Sequence, residues 1–332
     1  MNYSTECLEH LPLTYHSVKA LGLATDANAI KAIMSDLMQA SKFLIPPPDK
    51  MNVKVTASSL HLLKLPYPIC AFEYPCPLAR TEPINGLNTV ITGKSSKRIA
   101  LAYDCSKNIG PVKMLKDTGR MPKDADGILV ISLYYLDNDK LWNASFGAGY
   151  IDKHMAEDFG HMLIDNKSIQ TKMDVYTILQ QCANRMYRGI SKSQETMALM
   201  NDVADEVAMS VRACLMLNTK NLKIVKAIEA PTKLNKKREK NKKPPFFEYL
   251  TLDIFVSDSG SRLDRKKVNY SALQKHFDNL SIDRRWGTVM GHFKVRSTGV
   301  FWWSEHGRGN KNKGIIQKDY LIKQESNDEN PS

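Results

Sequence analysis

The feature that most restricts the fold is a change of hydrophobic period along the chain. Between residues 50 and 150 the apolar residues come in short runs cut by turn formers. From residue 169 to 217 they recur every three or four positions instead. The short runs are Val53-Lys54-Val55, Ser59 to Leu65, Ile69 to Tyr74, Arg98 to Tyr103, Gly127 to Tyr135 and Lys140 to Phe146. Pro66 and Pro68 separate two of them, and Asp137-Asn138-Asp139 is a hairpin turn between the last two. Gly147-Ala148-Gly149 lacks the rest of a dinucleotide-binding fingerprint and reads as a turn.

Helical spacing appears in three places. After Asp26, a plausible N-cap, Ile30, Ile33, Met34, Leu37 and Met38 fall on one face until the Pro46-Pro47-Pro48 breaker. Ile169 to Tyr187 and Glu195 to Leu217 repeat the pattern, each long enough to cover a sheet face. Together these elements predict an α+β fold over residues 1–217, an antiparallel sheet with packed helices. The methionines on those helices read as core filling.

Beyond residue 217 the text changes. Leu222 to Ile228, Phe246 to Val256, Met290 to Trp303 around Ser297-Thr298-Gly299, and Gly314 to Ile322 read as strands. A smaller β-rich C-terminal domain is therefore expected over 218–323, with a disordered tail at 324–332. Charge separates the two parts. The chain has 47 Lys and Arg against 35 Asp and Glu, a net of +12. Residues 219–323 hold 24 basic and 10 acidic residues, a net of +14, and the remainder is at −2. An excess confined to one third points to an acidic partner for that third, most often nucleic acid.

Other classes are disfavoured. No stretch approaches the ~18 apolar residues that span a bilayer. Met1 to Tyr15 carries Glu6 and Glu9 and no basic apolar run, so a cytoplasmic protein without membrane attachment is expected. Six cysteines without a CxxC suggest reduced, mostly buried thiols and no zinc site. His154, Glu157, Asp158 and His161 read as a solvated surface rather than a metal patch. Neither a Walker loop, HExxH nor GxSxG occurs, and no cofactor is expected.

Two segments carry candidate chemistry. Residues 233–243 hold seven basic residues, Lys233, Lys236, Lys237, Arg238, Lys240, Lys242 and Lys243, and read as a flexible loop able to neutralise phosphates. Residues 284–309 hold three of the four tryptophans, two histidines and four arginines. Arg284, Arg285, Lys294, Arg296, Trp302, Trp303 and Arg308 there combine cations with rings, the composition of a single-strand nucleic-acid surface. If Phe301 to Trp303 is a strand, Phe301 and Trp303 share a face and Trp302 takes the other. His292 and His306, with Arg296, Lys294 or Arg308 as the cation, would also suit metal-independent RNA cleavage. A non-catalytic role is the leading expectation, and that ribonuclease is the alternative. A pure protein-interaction inhibitor is a third reading.

The order of several motifs resembles a widespread family encoded by tailed phages and mobile elements. It is related to a type V-A anti-CRISPR protein that acts through the messenger RNA of its target nuclease. The resemblance rests on Leu65-Pro66-Tyr67-Pro68 leading into Ala71-Phe72-Glu73-Tyr74-Pro75, and on Cys214-Leu215 running into Asn218. It continues through Pro231, Leu234 to Arg238, Lys243-Pro244-Pro245-Phe246-Phe247-Glu248-Tyr249, Gly291-His292-Phe293, Thr298-Gly299, Trp302-Trp303, Gly314 and Lys318-Asp319-Tyr320. Many relatives have an arginine pair directly before the glycine and histidine, where Val289 and Met290 stand here. What the resemblance implies is an accessory adaptor in a host cytoplasm. Its α+β part would bind a host protein or nascent peptide, and its basic part would contact messenger or ribosomal RNA.

Overall fold

A computed structural model describes residues 2–48, 62–84, 87–92, 95–152, 173–219, 226–251, 285–289, 292–296, 299–303, 306–308 and 310–315. By internal packing the chain divides into two compact units. The first is Met1–Val256 with His292–Trp303, and the second is Ser257–Gly291 with Ser304–Ser332.

The first unit opens with two helices, α1 (Tyr3–Ala20) and α2 (Ala24–Gln39), and a strand, β1 (Ser41–Leu44). There follow β2 (Ile69–Pro75), the hairpin β3 (Ala79–Ile84) and β4 (Leu87–Thr92), β5 (Lys97–Asp104) and α3 (Gly110–Asp117). β6 (Ile128–Leu136), β7 (Leu141–Ile151) and β8 (Asp174–Thr177) lead to α4 (Gln180–Met186) and the long α5 (Lys192–Leu217). β9 (Lys226–Ile228), α6 (Thr232–Lys240) and β10 (Tyr249–Thr251) come next. β12 (His292–Arg296) and β13 (Gly299–Trp303) form a two-stranded ribbon. In the second unit, β11 (Arg285–Val289) lies between β14 (His306–Arg308), which is antiparallel to it, and β15 (Asn310–Ile315), which is parallel.

Eight strands form the main sheet in the order β8-β7-β6-β5-β2-β1-β10-β9. From β2 to β8 every pairing is antiparallel, as the short alternating runs predict. The sheet is nevertheless mixed, because β1 runs parallel to both β2 and β10. β9 and β10 lie past residue 217, so the sheet draws on both sides of the boundary expected from the charge shift.

Period-two alternation gives each sheet face its own core. Cys70, Phe72, Tyr74, Ala100, Ala102, Ile128 and Val130 pack with Val203, Val207, Val211 and Cys214 of α5. Ala71, Ile99, Leu101, Tyr103, Leu129, Ile131 and Trp142 pack on the other side with Leu8 and Leu11 of α1 and Ile30, Ile33 and Leu37 of α2. The architecture is α+β with helices on both faces.

Several expectations are corrected here. The first element is α1, a helix that the sequence analysis above does not predict. Its N-terminus is held from 70 positions away: the buried Glu73 carboxylate accepts from the Tyr3 and Ser4 main-chain N–H groups at 2.8 and 2.9 Å, and from Ser4 Oγ. Asp26 is buried within α2 rather than capping it, and accepts from the Cys182 N–H at 2.6 Å in the first turn of α4. In the described part of the helix expected over 169–187, residues 173–187, β8 is followed by the short α4, and residues 169–172 lie outside the described residues. Gly147-Ala148-Gly149 lies inside β7, where a Cβ on Gly149 would come within 2.6 Å of Val207. Glycine there lets α5 lie close to the sheet, which no turn requires. By contrast α5 starts with a local capping box, Ser191 and Gln194 bonding reciprocally. At its far end the Asn218 side chain donates to the Leu62 and Lys64 carbonyls at 2.9 and 2.8 Å.

Candidate nucleic-acid interface

The lysine-rich run is not a flexible loop. Residues 232–240 form α6, and the reason lies in the residues themselves: Lys, Arg, Glu and Leu are all strong helix formers. Lys237, Arg238 and Lys240 lie in the last turn, where the helix dipole favours positive charge. Nine residues are too few for an isolated helix in water. Tertiary contacts therefore have to hold it.

Those contacts come from one side. The Asn235 amide donates to the Phe246 carbonyl and accepts from the Phe246 N–H, each at 2.8 Å. Arg238 Nε donates to the Pro244 carbonyl at 2.5 Å, and its guanidinium pairs with Glu9 of α1 and lies 4.4 Å from the centre of the Phe246 ring. The adjoining segment is anchored as well. Thr5 Oγ1 donates to the Pro245 carbonyl at 2.8 Å, and Lys42 Nζ sits 3.8 Å from the Phe247 ring centre. Burial pushes the Lys42 ammonium down to about 8, while the Glu73 carboxylate pulls the other way.

The opposite side of α6 is basic. Lys233, Lys236, Lys237 and Lys240 follow i, i+3, i+4, i+7 spacing and occupy an arc of about 100° around the axis. All four are exposed, as are Lys242 and Lys243 just beyond. The helix ends in a Schellman motif: Lys243 N–H bonds to the Arg238 carbonyl and Lys242 N–H to the Glu239 carbonyl, at 2.9 Å each. Its left-handed position, φ 54°, is filled by Lys242 where glycine would be unstrained. A charged side chain is thus kept at a position that disfavours any side chain.

The structure sorts the predicted residues accordingly. Lys233, Lys236, Lys237, Lys240, Lys242 and Lys243 come together on and beside α6, whereas Arg238 is occupied by Glu9 and Phe246. His292, Lys294 and Arg296 are on β12, and Trp302 and Trp303 on β13. Arg285 is on β11, and His306 and Arg308 are on β14. His292 belongs to the first unit and His306 to the second. Arg284, His154, Glu157, Asp158 and His161 lie outside the described residues.

A second polar cluster, missed in the sequence, sits between α5 and the sheet. Glu206 is 0% exposed, and its Oε1 accepts from Tyr74 Oη at 3.1 Å and from Arg98 at 3.0 Å. Arg98 also reaches Asp205 at 3.5 Å. Burial raises the Glu206 carboxyl against the opposing pull of Arg98, and burial together with the Glu206 charge raises Asp202 to about 6. Its signal was a run of acidic residues at i, i+3, i+4 on an otherwise apolar helix face. Arg98 and Tyr74 partner Glu206 Oε1, and Arg98 also partners Asp205, so the cluster ties α5 to the sheet. Among the described residues no group of three His, Cys, Asp or Glu is placed to hold a metal ion. None of the six cysteines is in a disulfide; Cys76 and Cys182 are partly exposed and the rest are buried. No helix among the described residues is long and apolar enough to cross a membrane.

The chain matches no known family model. No curated protein and no solved structure matches it either.

Proposed function

We propose that this chain is a non-catalytic RNA-binding adaptor whose lysine face on α6 neutralises phosphates. The observation that carries this reading is the division of labour on that helix. Asn235 and Arg238 anchor it, and the remaining basic residues stand exposed along the opposite arc. Lysine ammonium groups are point charges without the fork geometry of arginine, which suits contact with a phosphate backbone rather than base readout.

The wider role is an accessory protein of a phage or mobile element, acting in the host cytoplasm. In this reading the α+β part recognises a host protein or nascent peptide, a β-rich basic C-terminal domain adds RNA contacts, and target expression falls at the messenger-RNA level. The charge asymmetry and the motif order described above support it.

The test is fluorescence anisotropy with labelled RNA, on the full chain because β9 and β10 belong to the main sheet. Affinity should fall steeply between about 50 and 200 mM salt, and charge reversal at Lys236, Lys237, Lys242 and Lys243 should flatten that dependence. An unchanged salt slope in the reversed variant would remove the lysine face from RNA binding.

A further inference from the structure

The chemistry of the α6 face narrows the kind of RNA it can hold. At about 100° per residue, Lys236, Lys240, Lys233 and Lys237 follow one another across the exposed arc, and the axis rises about 10.5 Å from Lys233 to Lys240. The two flanks of the arc differ. Leu234, 53% exposed, lies about 60° past Lys237, and the exposed Glu239 lies about 60° past Lys236 on the other side. No residue of α6 has a ring. The rings of Phe246 and Phe247, which follow the helix, are each already faced by a cation of this chain. Arg238 lies 4.4 Å from the centre of the first and Lys42 lies 3.8 Å from the centre of the second.

We infer that this face takes double-stranded RNA, lying along the phosphate backbone of a stem. The inference rests on the RNA reading of the α6 lysines and specifies the strand form. Proteins grip unpaired RNA by stacking its bases on rings or on flat guanidinium groups. The lysine arc provides neither, since the guanidinium of Arg238 is turned to Glu9 and Phe246. What it offers is ammonium groups at set stations, because Asn235 and Arg238 fix the helix from behind. A duplex holds its phosphates at set positions too, so two preformed arrays meet with little ordering cost. A single strand must give up its freedom to follow the arc. The duplex also carries the denser counterion atmosphere, so each phosphate neutralised releases more of it. Glu239 limits the depth of contact. If the helix sank into a groove, this carboxylate would be pressed against the phosphates of one wall. With only the arc in contact, it stays clear of them.

The experiment measures anisotropy on the full chain with two fluorescein-labelled probes of equal nucleotide number, a blunt 12-base-pair RNA duplex and a 24-nucleotide oligouridine. One variant changes Lys233, Lys236, Lys237 and Lys240 together to glutamine, which matches lysine as a helix former. Near physiological salt it should lose at least about 10-fold more affinity for the duplex than for the single strand. Asn235→Ala keeps every charge and removes both bonds to Phe246. It should weaken duplex binding about 5-fold and leave oligouridine binding unchanged. Equal losses on both probes in either variant, or duplex affinity indifferent to Asn235→Ala, would overturn the duplex assignment and leave the α6 lysines as an RNA site. No loss on either probe in the glutamine variant, or no RNA binding by the wild-type chain, would overturn that reading as well.

Discussion

The boundary between α5 and the sheet and the outward face of α6 treat charge in opposite ways. At the first, Glu206 is wholly buried and is tied to Arg98 and Tyr74, and burial displaces the proton affinity of its neighbour Asp202. At the second, four lysines stand exposed along a helix anchored from its opposite side, with two more just beyond its end. Substitutions at the first place should change folding, and substitutions at the second should change binding. Arg238 falls between the two, since it belongs to the basic run by sequence and to the interior by contact.

The largest effect that would break this contrast is on the lysine face. Reversing Lys236, Lys237, Lys242 and Lys243 together is expected to cost about 10³-fold in RNA affinity near physiological salt and to lower the salt slope by up to about four. Thermal unfolding of the same variant should stay close to wild type, and a large drop there would mean that the face is structural after all.

Asp202 probes the interior side. Its folded carboxyl is raised to about 6, above the roughly 3.9 of an unfolded chain, so the folded state binds the extra proton between those values. Stability therefore falls as pH rises from about 4 to 6, by an amount on the order of 2 kcal/mol. Asp202→Asn should flatten that interval and stabilise the protein at pH 7, as read by urea unfolding at both ends. A variant less stable than wild type at pH 7 would contradict the burial argument.

Arg238 sharpens the comparison. Arg238→Ala should destabilise by about 1–2 kcal/mol, through loss of the Glu9 pair, the Pro244 bond and the Phe246 ring contact. Arg238→Lys keeps the charge but not the fork and should recover less than half of that loss. If lysine restored stability fully, charge alone would explain the anchor. The smallest effect belongs to Lys242→Gly. Relief of the left-handed backbone should stabilise by about 0.5–1 kcal/mol, while RNA binding falls only a few-fold.

What could be read from the sequence was what neighbours decide. The strands β2, β5, β6 and β7, the hairpin at Asp137 to Asp139, the helical spacing of α5 and the β12–β13 pair all follow from local spacing. What escaped was decided at a distance. α1 has no side-chain cap of its own and depends on Glu73, and the start of α4 depends on Asp26, which sits in another helix. Gly147 and Gly149 look like turn residues until α5 is laid across them. The basic run at 233–243 is legible as a charge but not as a helix, because the contacts that hold it, to Phe246 and Glu9, lie outside the run. Nothing in its sequence separates Arg238 from the lysines around it. That distinction comes from Glu9, 229 positions earlier, and from Phe246.

The parallel pairing of β1 with β10 also sets a clock. Phe43 lies opposite Leu250, 207 positions on, so this part of the sheet can close only when most of the chain has been made. At roughly 5–20 residues per second, translation takes tens of seconds to span that separation. The segment that anchors α6, Pro244 to Phe247, immediately precedes β10 and finds α1 and Lys42 over the same interval. A half-synthesised copy therefore carries no assembled lysine face. Whatever the finished protein grips, its own unfinished copies on the ribosome should be slow to compete for it.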